Sequence, residues 1–329
     1  MNRRVLVTGG AGYIGSHLCK LLAREGWEPV VFDNLSAGNA WAVKWGPLVE
    51  GDLLDEAALA DAFEAHRPAA VIHLAALSAV GDSMRDPEPY YRVNLQGTLN
   101  LLAAMRRAEV GRIVFSSTAS VYGAPQETPI REGHPLHPIS TYGSSKLMAE
   151  RLLFDFERSH GISSVALRYF NAAGADPEGE LGEERTQETH LIPLALQVAL
   201  DRQRHLDLYG RDYRTPDGTC IRDYVHVVDI AAAHLRSLDF LQDGGAGVAL
   251  NLGSDRGFSV LEVLDSLRRI TGRDIPTVDK PRRTGDPDEL VSDSKAAREI
   301  LGWRPEYSAL DSIVASAWNW ARARAEAAA

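Results

Sequence analysis

Tyr142 and Lys146 stand four residues apart in the run Ser140-Thr141-Tyr142-Gly143-Ser144-Ser145-Lys146. On a helix that spacing sets the phenol and the ammonium on one face, where the cation can help the phenol to ionise. A tyrosine acts as a base near neutral pH only if its pKa falls from about 10 by roughly three units, about 4 kcal/mol. One positive charge at about 4 Å, with an effective dielectric near about 20, supplies that amount. Lys146 alone is therefore expected to be nearly sufficient. Thr118 closes a run that ends Phe115-Ser116-Ser117-Thr118. Alone, it reads as a strand-end threonine bonded to local backbone; beside the Tyr-Lys pair, its hydroxyl is expected to relay a proton or hold a substrate oxygen. The chemistry of such a set is oxidoreductive, with a tyrosinate as the base.

The elements that must position these groups begin with a glycine-rich turn. Arg4 to Thr8 is a short apolar run, Gly9, Gly12 and Gly15 follow it, and Ile14, Leu18, Leu21 and Leu22 continue at helical spacing. Strand, turn and helix in that order let a backbone approach a pyrophosphate at the positive end of a helix. A second strand, Pro29 to Asp33, ends in a carboxylate roughly 20 residues beyond the glycines, where such folds hold the adenine ribose. Asp33 accepts from both ribose hydroxyls and repels a 2′-phosphate, and no arginine directly follows it. NAD is expected rather than NADP.

Strand-like and helix-like runs alternate onward: a strand over 69–74, a helix from about Pro87 to Arg107, a strand over 111–115, the helix of Tyr142 and Lys146, and a strand over 163–169. Alternation predicts an α/β fold with a Rossmann-like, doubly wound parallel sheet. Asp55 is placed to cap the helix after it, and Gly161 to end the Tyr142 helix. Beyond Gly174 the polar stretch from Asp176 to Glu184 breaks the alternation. A dinucleotide-binding domain over 1–174 and a smaller α/β substrate domain over 175–329 are expected, with a segment near 223–255 returning to the first.

Bulk properties exclude several classes. A net charge of −10 argues against a nucleic-acid surface. No apolar stretch is long enough to span a bilayer, and a strand begins within the first four residues, so a cytoplasmic protein without a signal peptide is expected. Cys19 and Cys220 are expected to be free thiols.

Four motifs carry a family resemblance along nearly the whole chain: Thr8 to His17, Tyr142-x-x-x-Lys146, Arg168 to Gly174, and Asp217 to His226. With them the chain resembles the extended short-chain dehydrogenase/reductases. The last motif, together with Arg282, Arg283 and Asp286, makes it similar, more narrowly, to the UDP-glucose 4-epimerases. The resemblance implies a resident NAD and inversion of a sugar carbon through a 4-keto intermediate, with Tyr142 as base, Thr118 at the 4-oxygen and Lys146 beside them. It also implies, around NAD, Tyr13 and Ile14 at the pyrophosphate, Asn34 beside Asp33, and Asp52 and Leu53 at the adenine. Leu74, Ala75 and Ala76 are then expected along the ribose and phosphates, with Asn94, Ser116 and Tyr169 near the nicotinamide.

For the nucleotide sugar, the resemblance implies Arg222 and Arg283 on the diphosphate, Asn171, Leu191 and Tyr209 at the phosphates and uracil, Asp286 near the ribose, and Phe170 on the sugar face. His190 stands where the family has an asparagine, Ser78 where many members have a lysine, and Leu290 where residue size sets the space at the sugar 2-position. Asp223, His226 and Asp229 are not expected to hold a metal, since the mechanism needs none. The family also implies a homodimer through the helices starting at Pro87 and Tyr142. Rival readings are an epimerase of a UDP-N-acetylhexosamine or UDP-pentose, a nucleotide-sugar dehydratase, which Ala119 and Ser120 after Thr118 disfavour, and a cofactor-sensing binding protein, which the intact catalytic set disfavours.

Overall fold

The computed structural model describes residues 2–185, 188–283 and 286–327. Its first six strands are β1 (Arg4–Thr8), β2 (Glu28–Asp33), β3 (Leu48–Glu50), β4 (Ala70–His73), β5 (Arg112–Thr118) and β6 (Ser163–Tyr169). Seven more follow: β7 (Asn171–Ala173), β8 (Leu206–Tyr209), β9 (Ile221–His226), β10 (Val248–Leu252), β11 (Gly257–Ser259), β12 (Thr277–Lys280) and β13 (Glu289–Leu290). The main sheet runs β10-β6-β5-β4-β1-β2-β3, with every pairing parallel. Parallel strands need crossover helices, and these cover both faces, so the middles of the strands are buried and largely apolar.

Alternate residues of one strand serve opposite layers. Val5 and Val7 of β1 pack with Leu18 and Leu22 of the helix Tyr13–Arg24 and with Ile230 and Leu238 of the helix Val227–Gln242. Leu6 faces the other way, toward Leu59 and Phe63 of the helix Glu56–His66, Leu101 and Met105 of the helix Gly97–Arg107, and Leu153 of the catalytic helix Thr141–His160. This is a doubly wound α/β fold. β10 joins the sheet beside β6, and the helix Val227–Gln242 packs on Tyr13–Arg24, so the chain re-enters the first layer after leaving it. A separate core holds Ile192, Leu196, Val263, Leu267, Ile313 and Val314 beneath the small β11-β9-β13 sheet, which β7 extends.

Local signals place the ends of elements. Asp55 accepts from the Ala57 and Ala58 amides, and Gly161, in the left-handed region at φ 70°, ends the catalytic helix. The helix expected over 87–107 is not uniform: residues Tyr91–Gln96 form a wider π-helical turn. Asn94 lies within it, its amide drawn to the Leu77 backbone and the Ser145 hydroxyl. Periodicity does not report such a turn, because it is held by contacts from 17 and 51 residues away.

Candidate active site

β1 lies between β2 and β4, and the chain departs to opposite sides of the sheet from there, which opens a crevice at the carboxyl ends of the strands. The crevice continues into a groove of about 1190 Å³ that runs from Asp33 to Arg283. That exceeds the roughly 300–1,000 Å³ typical of one small-ligand pocket, so two ligands fit end to end.

At one end the glycine turn comes into tight backbone contact. A Cβ on Gly9 would lie 2.5 Å from the Ala75 nitrogen, and Gly9 has φ 72°; a Cβ on Gly15 would lie 2.2 Å from the Gly9 carbonyl oxygen. The helix that starts at Tyr13 has no side-chain cap and no acid in its first turn. Its free amide groups and positive end therefore face the groove uncompensated, which fits an anionic pyrophosphate. Asp33 is buried and accepts from the Ala11 and Leu35 amides at 3.0 and 2.9 Å. Those two bonds hold its carboxylate while leaving lone pairs for ribose hydroxyls. Burial raises its pKa and the two amides oppose that rise. Asn34 donates to Asp52 at 2.8 Å, which closes the adenine end.

In the middle, β5 and the helix Thr141–His160 bring Thr118, Tyr142 and Lys146 to the groove. The Ser140 hydroxyl caps the helix by accepting from Gly143 at 3.1 Å. Thr118 accepts from the Ser120 amide at 3.1 Å and lines the groove together with Tyr142. Lys146 Nζ donates to the Ser116 carbonyl at 2.8 Å and lies 4.7 Å from the centre of the Phe115 ring. Burial pushes the Tyr142 phenol above its ordinary pKa; the Thr118 hydrogen bond and the Arg185 charge pull it back. Burial pulls the Lys146 pKa down to about 7, and the Glu150 charge opposes that fall.

At the far end, Arg222 Nη2 bonds Asp286 and donates to the Pro287 carbonyl at 2.9 Å. The Arg283 guanidinium stacks 4.3 Å from the centre of the Tyr209 ring. Asn171, Leu191 and Phe170 line the groove between them. Two arginines at one end of an acidic protein suit a diphosphate.

Every residue assigned to the cofactor or substrate lines this groove except Asn94 and Leu290. Asn94 is 1% exposed, and its amide is bonded to Leu77 and Ser145. Leu290 packs against the Ala119, Val121, Tyr122 and Ile130 cluster. Asp223, His226 and Asp229 do not converge on one ion. Serines and backbone amides hold each of the two carboxylates, while His226 contacts Ser316 and accepts from the Val228 amide.

The sequence did not single out Glu183 and Arg185, which also line the groove. Glu183 takes both Arg185 Nε and His190 Nδ1 at 2.8 Å. Arg324 clamps the adjoining Glu184 at 2.8 and 2.9 Å, and Asn39 donates to the Glu184 carbonyl at 3.1 Å. These partners lie about 140 residues from the loop in either direction. No local pattern could have found them.

The model of the NAD dependent epimerase/dehydratase family matches residues 5–253. The chain belongs to this family. A UDP-glucose 4-epimerase of Rhizobium leguminosarum bv. trifolii is 49% identical over 316 residues, 96% of each chain. Among solved structures, the UDP-glucose 4-epimerase of Brucella ovis in complex with NAD has a TM-score of 0.94 and 50% identity, covering 96% of this chain and 97% of its own. The UDP-glucose 4-epimerase of Stenotrophomonas maltophila, with bound NAD and formylated UDP-arabinopyranose, has a TM-score of 0.95 and 37% identity over 99% of each chain.

Proposed function

We propose that the protein is a UDP-glucose 4-epimerase that carries NAD and interconverts UDP-glucose and UDP-galactose by inverting the sugar C4. The observation that carries this reading is the single groove with an uncapped helix and Asp33 at one end, Arg222 and Arg283 at the other, and Thr118 and Tyr142 between them. The close relatives of the same name, matched along nearly the whole chain, support it.

Gly9, Gly12 and Gly15, the first turn of the helix from Tyr13, Asp33 and Lys146 would hold NAD. When bound, NAD supplies the two-electron acceptor that keeps the C4 hydrogen until it is returned. Tyr142 takes the proton of the sugar 4-hydroxyl and later gives it back, and Thr118 holds that oxygen in line. Arg222 and Arg283 anchor the diphosphate, so the keto sugar can turn over and present its other face without leaving the groove. The net reaction is isomerisation.

In the test, purified protein is given UDP-galactose with no added dinucleotide or reductant, and UDP-glucose formation is followed. Turnover with unchanged total sugar nucleotide is expected; no turnover, or the appearance of a dehydrated product, would refute the assignment. UDP-pentoses belong in the same panel because the Stenotrophomonas relative holds a formylated UDP-arabinopyranose. A pentose turned over faster than either hexose would move the assignment to that substrate.

A homodimer is part of the same proposal. Val80, Met84, Tyr91 and Met148 are exposed, Met84 to 60%, on helical segments that pack on one another. Clustered exposed apolar side chains on packed helices suit a partner surface. Light scattering is expected to return twice the single-chain mass of 35.9 kDa, and Met84→Glu with Met148→Glu to return the single mass. A wild-type mass of one chain would dispose of the dimer. Among the described residues no helix is long and apolar enough to cross a membrane, and Cys19 and Cys220 are buried free thiols, in accord with a cytoplasmic site of action.

A further inference from the structure

Glu150 follows Lys146 by one helical turn, so both side chains leave the same face of the catalytic helix. They are 1% and 2% exposed. A buried carboxylate is costly unless it is fully paired, and Glu150 is paired from two strands. Ser117 Oγ of β5 donates to Oε1, as does Arg168 Nε of β6 at 2.9 Å, and Arg168 Nη2 donates to Oε2 at 2.7 Å. Arg168 also donates to the Tyr122 hydroxyl at 2.9 Å, and that hydroxyl donates to Asn251 at 2.6 Å.

The grip falls at a telling place. Ser117 lies between Ser116, whose carbonyl receives Lys146, and Thr118, whose hydroxyl meets Tyr142. A buried ion pair is a poor device for stability, since packed apolar side chains commonly do as well. Its use here therefore calls for another reason, and its neighbours supply one.

We propose that Glu150, clamped by Ser117 and Arg168, is a positioning residue that fixes the Ser116–Thr118 end of β5 against the catalytic helix and keeps the Lys146 side chain cationic. The kinetic half of this inference rests on the epimerase reading; the electrostatic half does not. The groups around Lys146 can be named element by element. Its own helix presents Tyr142 and Glu150; β5 presents the Phe115 ring and the Ser116 carbonyl. β4 presents His73, which sits between the Thr8 and Thr98 hydroxyls at 2.7 and 3.0 Å. β6 contributes Arg168, which is held on the same Glu150 carboxylate at 2.9 and 2.7 Å. Burial and the Lys146 charge push His73 down to about 3, so it stays neutral and does not offset Glu150. Burial lowers Lys146 and Glu150 alone is set against that loss.

The chain contains five lysines, Lys20, Lys44, Lys146, Lys280 and Lys295, so carbon-13 labelling of lysine gives a simple spectrum in which Lys146→Arg identifies the resonance. The titration is read on the protein as purified, with whatever dinucleotide it carries and no sugar substrate. Glu150→Gln removes the charge and keeps the shape. It is expected to lower the Lys146 midpoint by about one unit, a tenfold change in its protonation equilibrium. The alkaline limb of the kcat profile is expected to move to lower pH by the same amount. Glu150→Asp, which keeps the charge, should restore the midpoint, whereas a purely structural role would move neither curve.

If Glu150→Gln does not fold, the double variant Glu150→Gln with Arg168→Met takes its place, with a shift in the same direction but smaller, because the Arg168 charge is removed as well. A folded variant whose Lys146 midpoint matches the wild type overturns the proposal. A shifted midpoint in a protein whose wild type turns over no UDP-sugar would instead remove the epimerase reading and leave the electrostatic role standing.

Discussion

Tyr142→Phe is expected to lower kcat for UDP-galactose conversion by about 10²–10⁴-fold, the usual worth of a positioned general base. The substitution removes one oxygen from a ring that otherwise stays in place. Thr118 loses a partner but keeps the Ser120 amide, so no buried hydroxyl is stranded. The stability change should therefore stay within about 1 kcal/mol, the net worth of one hydrogen bond. KM should change little, because the diphosphate anchors at Arg222 and Arg283 are untouched. The decisive measurement pairs kcat with thermal unfolding. Full turnover in a folded variant would remove Tyr142 from the chemistry; loss of turnover together with loss of folding would be a structural effect. Burial works against ionisation of this phenol, and the Thr118 hydrogen bond is the strongest of the opposing influences. The hydroxyl proposed to hold the sugar oxygen thus also lowers the pKa of the proposed base.

What could be read from the sequence was what the chain encodes over short distances. The glycine turn, the Asp33 carboxylate and the Tyr142 to Lys146 spacing are each set within one strand-turn-helix unit or one helical turn, so their types and offsets carry their geometry. The parallel α/β sheet was legible for the same reason, since each apolar run announces one buried strand. Where partners come from far along the chain, local pattern carries no signal for them. Asn94 could not be known to spend its amide on Leu77 and Ser145, nor Leu290 to pack with Tyr122. Nor could local pattern place Arg185, whose charge bears on the Tyr142 phenol from a polar loop anchored by Arg324 and Asn39.

Acidification from about pH 7 to about pH 5 is expected to remove most of the folding stability, through histidines that the fold buries uncharged. His17, His226 and His234 are each pulled down to about 4, and His73 to about 3, chiefly by burial. His234 donates from Nδ1 to the Ile230 carbonyl at 2.9 Å and meets the Tyr169 hydroxyl at Nε2, 2.5 Å away, so its neutral form is fully bonded. The unfolded chain takes up a proton at each of these sites near about 6.5, and the folded chain does so only near the depressed values. Their contribution is therefore complete above about 6.5 and is lost as the pH falls toward about 4. Four such protons give a slope of roughly 5 kcal/mol per pH unit, against a typical whole-domain stability of about 5–15 kcal/mol. Lys146 adds no slope in that window, since below about 7 it is charged in both states. Asp33, Asp223 and Asp229 act the other way, because burial raises their pKa and the folded state gains protons there as the pH falls. The urea midpoint should thus fall most steeply between about pH 6.5 and about pH 5. His234→Gln, which takes one of the four protons out, should reduce that slope by about 1.4 kcal/mol per unit. A midpoint that stays level across this range would mean that the four imidazoles are not held neutral inside the folded protein.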